Sequence, residues 1–370
     1  MNFFLRLLFV TVVLISCLQP EPLYSARRRT ANECRVCHTE IYSEWQASAH
    51  GKSWSDPLFQ QRFKEMGRPD KCVSCHASKP INESSFSCGP VARKHNRHEG
   101  VSCITCHSQG HIVHGAGTNA KGAHSCTNKS FKTPELCAPC HSSSCLCFND
   151  QRGGHARQLG DWVKSPYRTR ASCQTCHMPA RVGQTANLRH PSMSNKTIAA
   201  HSFPGSKDID FIRRSIGFRI ERQGTELLLS LVNEFAGHSL PASEGRTIFV
   251  RLVFLDEHNL EIQHRCETID SKHCNRLRSG ESRVYNYPLY DGWRRVKVSV
   301  LFRHHCGQPE KDWYLLHHRL FDLQMNYDVP PTGTVADVLR QQQKERKQRE
   351  QYIGKPVKVD EWGRKIKDNQ

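Results

Sequence analysis

Five times in 370 residues a Cys-x-x-Cys pair is followed at once by histidine: Cys34-Arg35-Val36-Cys37-His38, Cys72-Val73-Ser74-Cys75-His76, Cys103-Ile104-Thr105-Cys106-His107, Cys137-Ala138-Pro139-Cys140-His141 and Cys173-Gln174-Thr175-Cys176-His177. The spacing has a mechanical reason. Two thiols separated by two residues reach the two vinyl groups on one porphyrin edge and form thioethers, and the next residue then lies under the iron as its proximal ligand. A random chain of this cysteine and histidine content would carry roughly 0.05 such motifs, so chance does not account for five. Zinc ribbons also use Cys-x-x-Cys pairs, but zinc asks for no histidine after every second cysteine. The motifs predict five covalently bound haem c groups, held by Cys34, Cys37, Cys72, Cys75, Cys103, Cys106, Cys137, Cys140, Cys173 and Cys176, with His38, His76, His107, His141 and His177 on iron.

Five such discs crowded into one stretch of chain must pack against each other with little protein between them. That density predicts a conduit for electrons. It also accounts for a hydrophobic share of only 37%, since the porphyrins would form much of the core. The formal charge of +18 predicts an attraction to acidic redox partners or anionic lipid.

The first residues set the expected compartment. Arg6 is followed by an apolar run from Leu7 to Ile15, broken only by Thr11, and then by polar sequence. This reads as a signal peptide over residues 1–26, too short for a comfortable span. Leu14-Ile15-Ser16-Cys17 also resembles a bacterial lipobox, which would leave a lipidated Cys17; the alternative is cleavage near Ala26. Either route predicts an exported protein, periplasmic or at the cell surface, with nucleic acid not an expected partner.

The sixth iron ligand separates a carrier from an enzyme, because two protein ligands close the metal to substrate. Methionine is scarce in the motif region, with Met66, Met178 and Met193, whereas histidine is abundant. The expectation is therefore mainly bis-His iron.

At this point the residues resemble a known group, the multihaem cytochromes of the c-554/c-prime type. Cys37-His38 is followed by Tyr42, Trp45, Ser48 and His50. His98-Glu99-Gly100-Val101 leads into the third motif, and Trp162, Ser165, Pro166 and Tyr167 lead into Cys173-Gln174-Thr175-Cys176-His177-Met178-Pro179. His201-Ser202-Phe203-Pro204-Gly205 and Asn233 to Pro241 are similar to later features of the same family, although Pro241-Ala242-Ser243 stands where relatives have Pro-Thr-Gly. The resemblance implies distal roles for His50 and His98. The best set of five is His50, His98, His114, His201 and His238, with His111, His124 and His155 competing. Trp45-x-x-Ser48-x-His50 and Trp162-x-x-Ser165-x-Tyr167 form a degenerate repeat in which tyrosine replaces histidine, although buried aromatics ordinarily just pack.

Beyond residue 206 the periodicity changes. Thr225–Asn233, Thr247–Leu255, Ser282–Tyr287 and Val296–Phe302 are short apolar runs between turn residues, which predicts an antiparallel β-sandwich. The expected architecture is α+β: a mostly helical or irregular pentahaem domain over 27–205, a β-sandwich domain over 206–330 and a basic tail over 331–370. Seven cysteines lie outside the motifs and the signal. Cys266–Cys274 and Cys88–Cys126 are the expected disulfides, with an odd thiol left over.

The favoured reading is an electron carrier. The alternatives are a reductase or oxidase of a small nitrogen or sulfur compound at one open haem, and a structural subunit of a conducting assembly. No motif here ends in lysine as the nitrite reductases' active haem does.

Overall fold

A computed structural model describes residues 30–83, 89–109, 112–115, 126–127, 129–142, 158–187, 196–243 and 245–328. The expected signal peptide with Cys17, the expected basic tail, Cys88, Cys145, Cys147, His111, His124, His155, His190 and Met193 lie outside them. The fold is α+β, and its contacts divide the chain into two units. Among the described residues the first unit takes those up to Cys140 and those from Ser172 to Phe203. The second takes 141–142, 158–171 and everything from Pro204 onward.

The first unit is built from short helices. They are α1 (Ala31–Arg35), α2 (Thr39–Ala47), α3 (Pro57–Glu65), α4 (Asp70–His76), α5 (Cys103–His107), α6 (Ala138–His141, which crosses into the second unit at its last residue) and α8 (Cys173–His177). Local chemistry starts them. Thr30 accepts from the Glu33 amide to cap α1, and Asp56 accepts from the Phe59 amide to cap α3, with Pro57 in the first turn. Ser102 with Thr105 and Ser172 with Thr175 form capping boxes on α5 and α8. Small strands complete the unit: β1 (Ser108–Gln109), β2 (Ile112–Gly115), β3 (Cys126–Thr127), and the hairpin of β4 (Ala180–Gly183) with β5 (Lys196–Ala199). Among its described residues the apolar core cluster is slight: Phe63, Val73 and Ala77, with Trp54 and Phe59 packed on them.

The second unit is a two-sheet sandwich. One antiparallel sheet has the order β10 (Ser282–Pro288), β7 (Glu226–Asn233), β6 (Ile216–Gln223). The other runs β13 (Tyr327–Asp328), β12 (Tyr314–Asp322), β11 (Arg295–Arg303), β8 (Thr247–Leu255), β9 (Glu261–Asp270). The inner faces alternate as a half-buried strand requires. Leu227, Leu229 and Leu231 on β7 meet Val250, Leu252 and Phe254 on β8 and Val296, Val298 and Val300 on β11 in one cluster, all of them fully buried. Helix α9 (Ile209–Ser215), capped by Asp208, packs on β12 and β6, and helix α7 (Gln158–Val163) belongs to the same unit.

The sequence-predicted strands correspond to β7, β8, β10 and β11, and β6, β9, β12 and β13 are additional. One disulfide expectation is corrected. Cys266 and Cys274 are both free and exposed. Cys266 sits on β9 opposite Arg251 of β8, whereas Cys274 lies in a turn beyond the strand end with φ +54°. The Cys88–Cys126 expectation rests on Cys88, outside the described residues.

Candidate haem-binding site

Each motif forms one helical turn, so its cysteines at i and i+3 and its histidine at i+4 share a helix face. In the first motif, where α1 ends at Arg35, the turn is carried on by the His38 amide donating to the Cys34 carbonyl at 2.9 Å. Three of the motif histidines also have their tautomer fixed. His38 Nδ1 donates to the Thr185 carbonyl, His76 Nδ1 to Ser53 O at 2.9 Å, and His107 Nδ1 to His114 O at 3.0 Å. A backbone acceptor on Nδ1 leaves Nε2 as the lone-pair nitrogen, which is the form that ligates metal. Phe59 stacks on the His76 ring at 3.8 Å, and Phe131 lies 4.6 Å from that of His107.

Thiols of different motifs meet. Cys34 lies within hydrogen-bonding reach of Cys103, Cys75 of Cys140, and Cys137 of Cys173. Cys106 lies close enough to Cys137 and Cys140 to raise both electrostatically. Burial pushes the Cys106 thiol up to about 11. The Cys103 thiol is raised by the Cys34 thiol and by burial. The Cys75 and Cys173 thiols are instead lowered, each by the hydrogen bond to its partner thiol, Cys140 and Cys137. Among the described residues no group of three or more His, Cys, Asp or Glu side chains is arranged around a bare ion.

The third motif is braced by residues of the two segments that carry the family resemblance and by Arg93, which sequence reasoning passed over. Trp45 Nε1 donates to Val101 O at 2.7 Å, and the Val101 amide donates to His50 O at 3.0 Å. The buried Arg93 guanidinium donates to Ser102 Oγ at 2.8 Å, to Gly100 O at 2.8 Å and to Asn96 O at 2.9 Å. Burial lowers its pKa while Glu99 opposes the shift. Glu99, also buried, accepts from the Ala31 amide at 2.9 Å and so ties the start of α1 to this loop. Nothing in the Arg93-Lys94 sequence marked one as buried and the other as exposed.

The candidate distal histidines differ in setting. His114, on β2, is only 9% exposed, and neither ring nitrogen has a hydrogen-bond partner. An unsatisfied buried polar group costs about 1–3 kcal/mol. Iron ligation would satisfy it, and with the paired thiols this fits haem. His201 donates from Nδ1 to Ala199 O at 3.0 Å, its amide donates to Glu44 at 2.8 Å, and burial lowers its pKa, which keeps the ring neutral. Its ring centre lies 6.3 Å from that of His107 with 27° between planes. His50 is half-buried, 4.3 Å from the Phe203 ring. His98 is exposed on the turn Arg97–Glu99. His238 is half-buried in the second unit and donates from Nδ1 to Ser239 O at 3.1 Å. His141 and His177 close α6 and α8.

Residues 33–108, which hold the first three motifs, match the family described as cytochrome c554 and c-prime. No curated protein matches the chain. Among solved structures, a penta-heme cytochrome c552 from Thermochromatium tepidum aligns with a TM-score of 0.59 at 16% identity, covering 80% of this chain and 99% of that one. An endonuclease/exonuclease/phosphatase from Beutenbergia cavernae DSM 12333 reaches a TM-score of 0.18 at 13% identity, over 40% of this chain and 35% of that one, too low to carry an argument. No helix among the described residues is long and apolar enough to cross a membrane. Residues 33–108 thus resemble the cytochrome c554 and c-prime family, and the chain shares the fold of a penta-heme cytochrome.

Proposed function

We propose that this is an exported pentahaem electron carrier whose irons are mainly bis-His and whose haems form one connected relay between redox partners. The observation that carries the reading is the meeting of thiols across motifs. Cys34–Cys103 joins the first motif to the third, Cys106 joins the third to the fourth, Cys75–Cys140 the second to the fourth, and Cys137–Cys173 the fourth to the fifth. All five attachment points thus belong to one network, with the fourth as its branch.

Haem iron supplies the reversible one-electron step, and the chain's residues hold and tune it. The Thr185, Ser53 and His114 carbonyls keep His38, His76 and His107 in the ligating tautomer. His201 is the proposed partner of His107: two imidazoles, each about 2 Å from a shared metal, have ring centres roughly 6 Å apart, and the observed 6.3 Å agrees. His114 is proposed as a second distal ligand because of its orphaned ring nitrogens. His50, His98 and His238 complete the proposed set. The charge of +18 suits an acidic redox partner, and a lipid on Cys17 would hold the carrier at a membrane.

Low-temperature electron paramagnetic resonance of the oxidised holoprotein tests this reading. Only low-spin ferric signals are expected. A high-spin signal that shifts with nitrite or cyanide would instead support a small-molecule reductase or oxidase.

A further inference from the structure

Helix α2 grips the β4–β5 hairpin through one guanidinium. Glu40 and Glu44 stand one turn apart on α2 and so share a face. Arg181 of β4 reaches both: its Nη1 donates to Glu40 Oε2 at 3.1 Å, and its Nε pairs with Glu44 Oε1. Gly183 makes room for that reach. A Cβ there would lie 2.9 Å from Glu40 Oε2 and 3.0 Å from Arg181 Cζ, so glycine lets the arginine fold back along its own strand. Little of the pair meets water, with 24% of the Arg181 side chain and 22% of the Glu44 side chain exposed. Burial opposes the Arg181 charge, and Glu44 and Glu40 together outweigh it, which leaves the guanidinium pKa above its ordinary value.

Both carboxylates lead on to motif or candidate-ligand histidines. Glu44 Oε2 accepts from the His201 amide at 2.8 Å. Glu40 Oε2 accepts from the Gln184 amide at 3.3 Å, and the next carbonyl, that of Thr185, receives His38 Nδ1. Two residues further on, the Asn187 amide donates to Cys37 O at 2.7 Å. Charge reaches the His201 ring as well as its backbone. Burial lowers the pKa of that ring and the Ala199 carbonyl raises it; beyond these, Glu44 favours the charged form while Arg181 and His38 oppose it. Ferric haem carries one more positive charge than ferrous haem. A carboxylate beside an iron ligand therefore favours the ferric state, and a guanidinium favours the ferrous.

We propose that Glu40, Glu44 and Arg181 are positioning residues for the iron that carries His201, and that Glu44 lowers its reduction potential while Arg181 raises it. Fixed together, the two charges nearly cancel, and the ligand is held without a net field. The inference rests on the reading of His201 as the axial partner of His107.

Potentiometric titration of the full holoprotein, followed by electron paramagnetic resonance, tests it, with intact mass counting the covalent haems in every variant. Glu44→Gln keeps an oxygen for the His201 amide, so all haems should stay low-spin while one potential rises. Arg181→Gln should lower the same potential, and the double variant should return towards the parent. Arg181→Lys keeps the charge but loses the fork, and should hold the parent potential at a lower Tm. Simple loosening of the hairpin would move the potential the same way in Glu44→Gln and Arg181→Gln; that result, or no shift in either, overturns the proposal. A shift in Arg181→Lys as large as in Arg181→Gln would make geometry the cause and overturn it too. Should Arg181→Gln lose haem, Glu44→Gln decides alone: a rise supports the proposal and an unmoved potential ends it. His201→Ala separates the two levels, because a fully low-spin spectrum there removes the ligand reading itself.

Discussion

Gly100, three residues ahead of the third motif, stands where a side chain does not fit. Its φ of +60° already favours glycine, and a Cβ there would lie 2.5 Å from the His50 carbonyl and 2.5 Å from Ser53 Oγ. Gly100→Ala should therefore cost about 1–3 kcal/mol and lower haem attachment at the adjacent motif. Denaturation of the holoprotein and intact mass both report this; unchanged stability with full loading would show that the loop yields. His201→Ala should convert one haem equivalent to high spin, and a spectrum without that signal would remove His201 from the ligand set. The five motif histidines, proposed as proximal ligands, can be picked out in the sequence because each follows its cysteine pair within one helical turn. The distal ones depend on tertiary structure, which a residue list does not contain. His98 and His114 look alike in sequence, yet one is exposed and the other is buried with two orphaned nitrogens.

At the level of elements, legibility followed burial pattern. Strands β7, β8 and β11 alternate cleanly between core and surface, and Leu-, Val- and Phe-rich runs announce them. Strand β9 does not: it lies at a sheet edge and only Ile269 and Asp270 are buried, so no alternation survives. Strand β12, with its His317-His318-Arg319 run, is masked in the same way. Nor does chain order show that helix α7 joins the sandwich's unit across the fifth motif. Leu229, fully buried on the central strand of its sheet, should cost about 2–5 kcal/mol on replacement by alanine, read by the sandwich's unfolding transition; a loss well under 1 kcal/mol would contradict the packing. His317 donates from Nε2 to Ile216 O at 2.6 Å, and burial holds its pKa below the ordinary value. The unfolded chain protonates it near pH 6.5 while the folded chain resists, so its contribution is complete above that pH and is lost as pH falls below it. The fall in Tm between pH 7 and pH 5 should be smaller in His317→Gln than in the parent, and an equal fall would assign the pH dependence to other groups.

Across the whole molecule the account depends on haems joined to the chain at all five Cys-x-x-Cys-His motifs. Two readings follow from that attachment: the thin aliphatic packing of the first unit, and the network of thiols that links one motif to the next. The direct measurement is the intact mass of the mature protein after acid extraction with organic solvent, which strips non-covalent haem. The account predicts that the colour stays with the polypeptide and that the mass exceeds the chain by five haems. A colourless polypeptide with the haem in the extract, or a mass short of five additions, would contradict it.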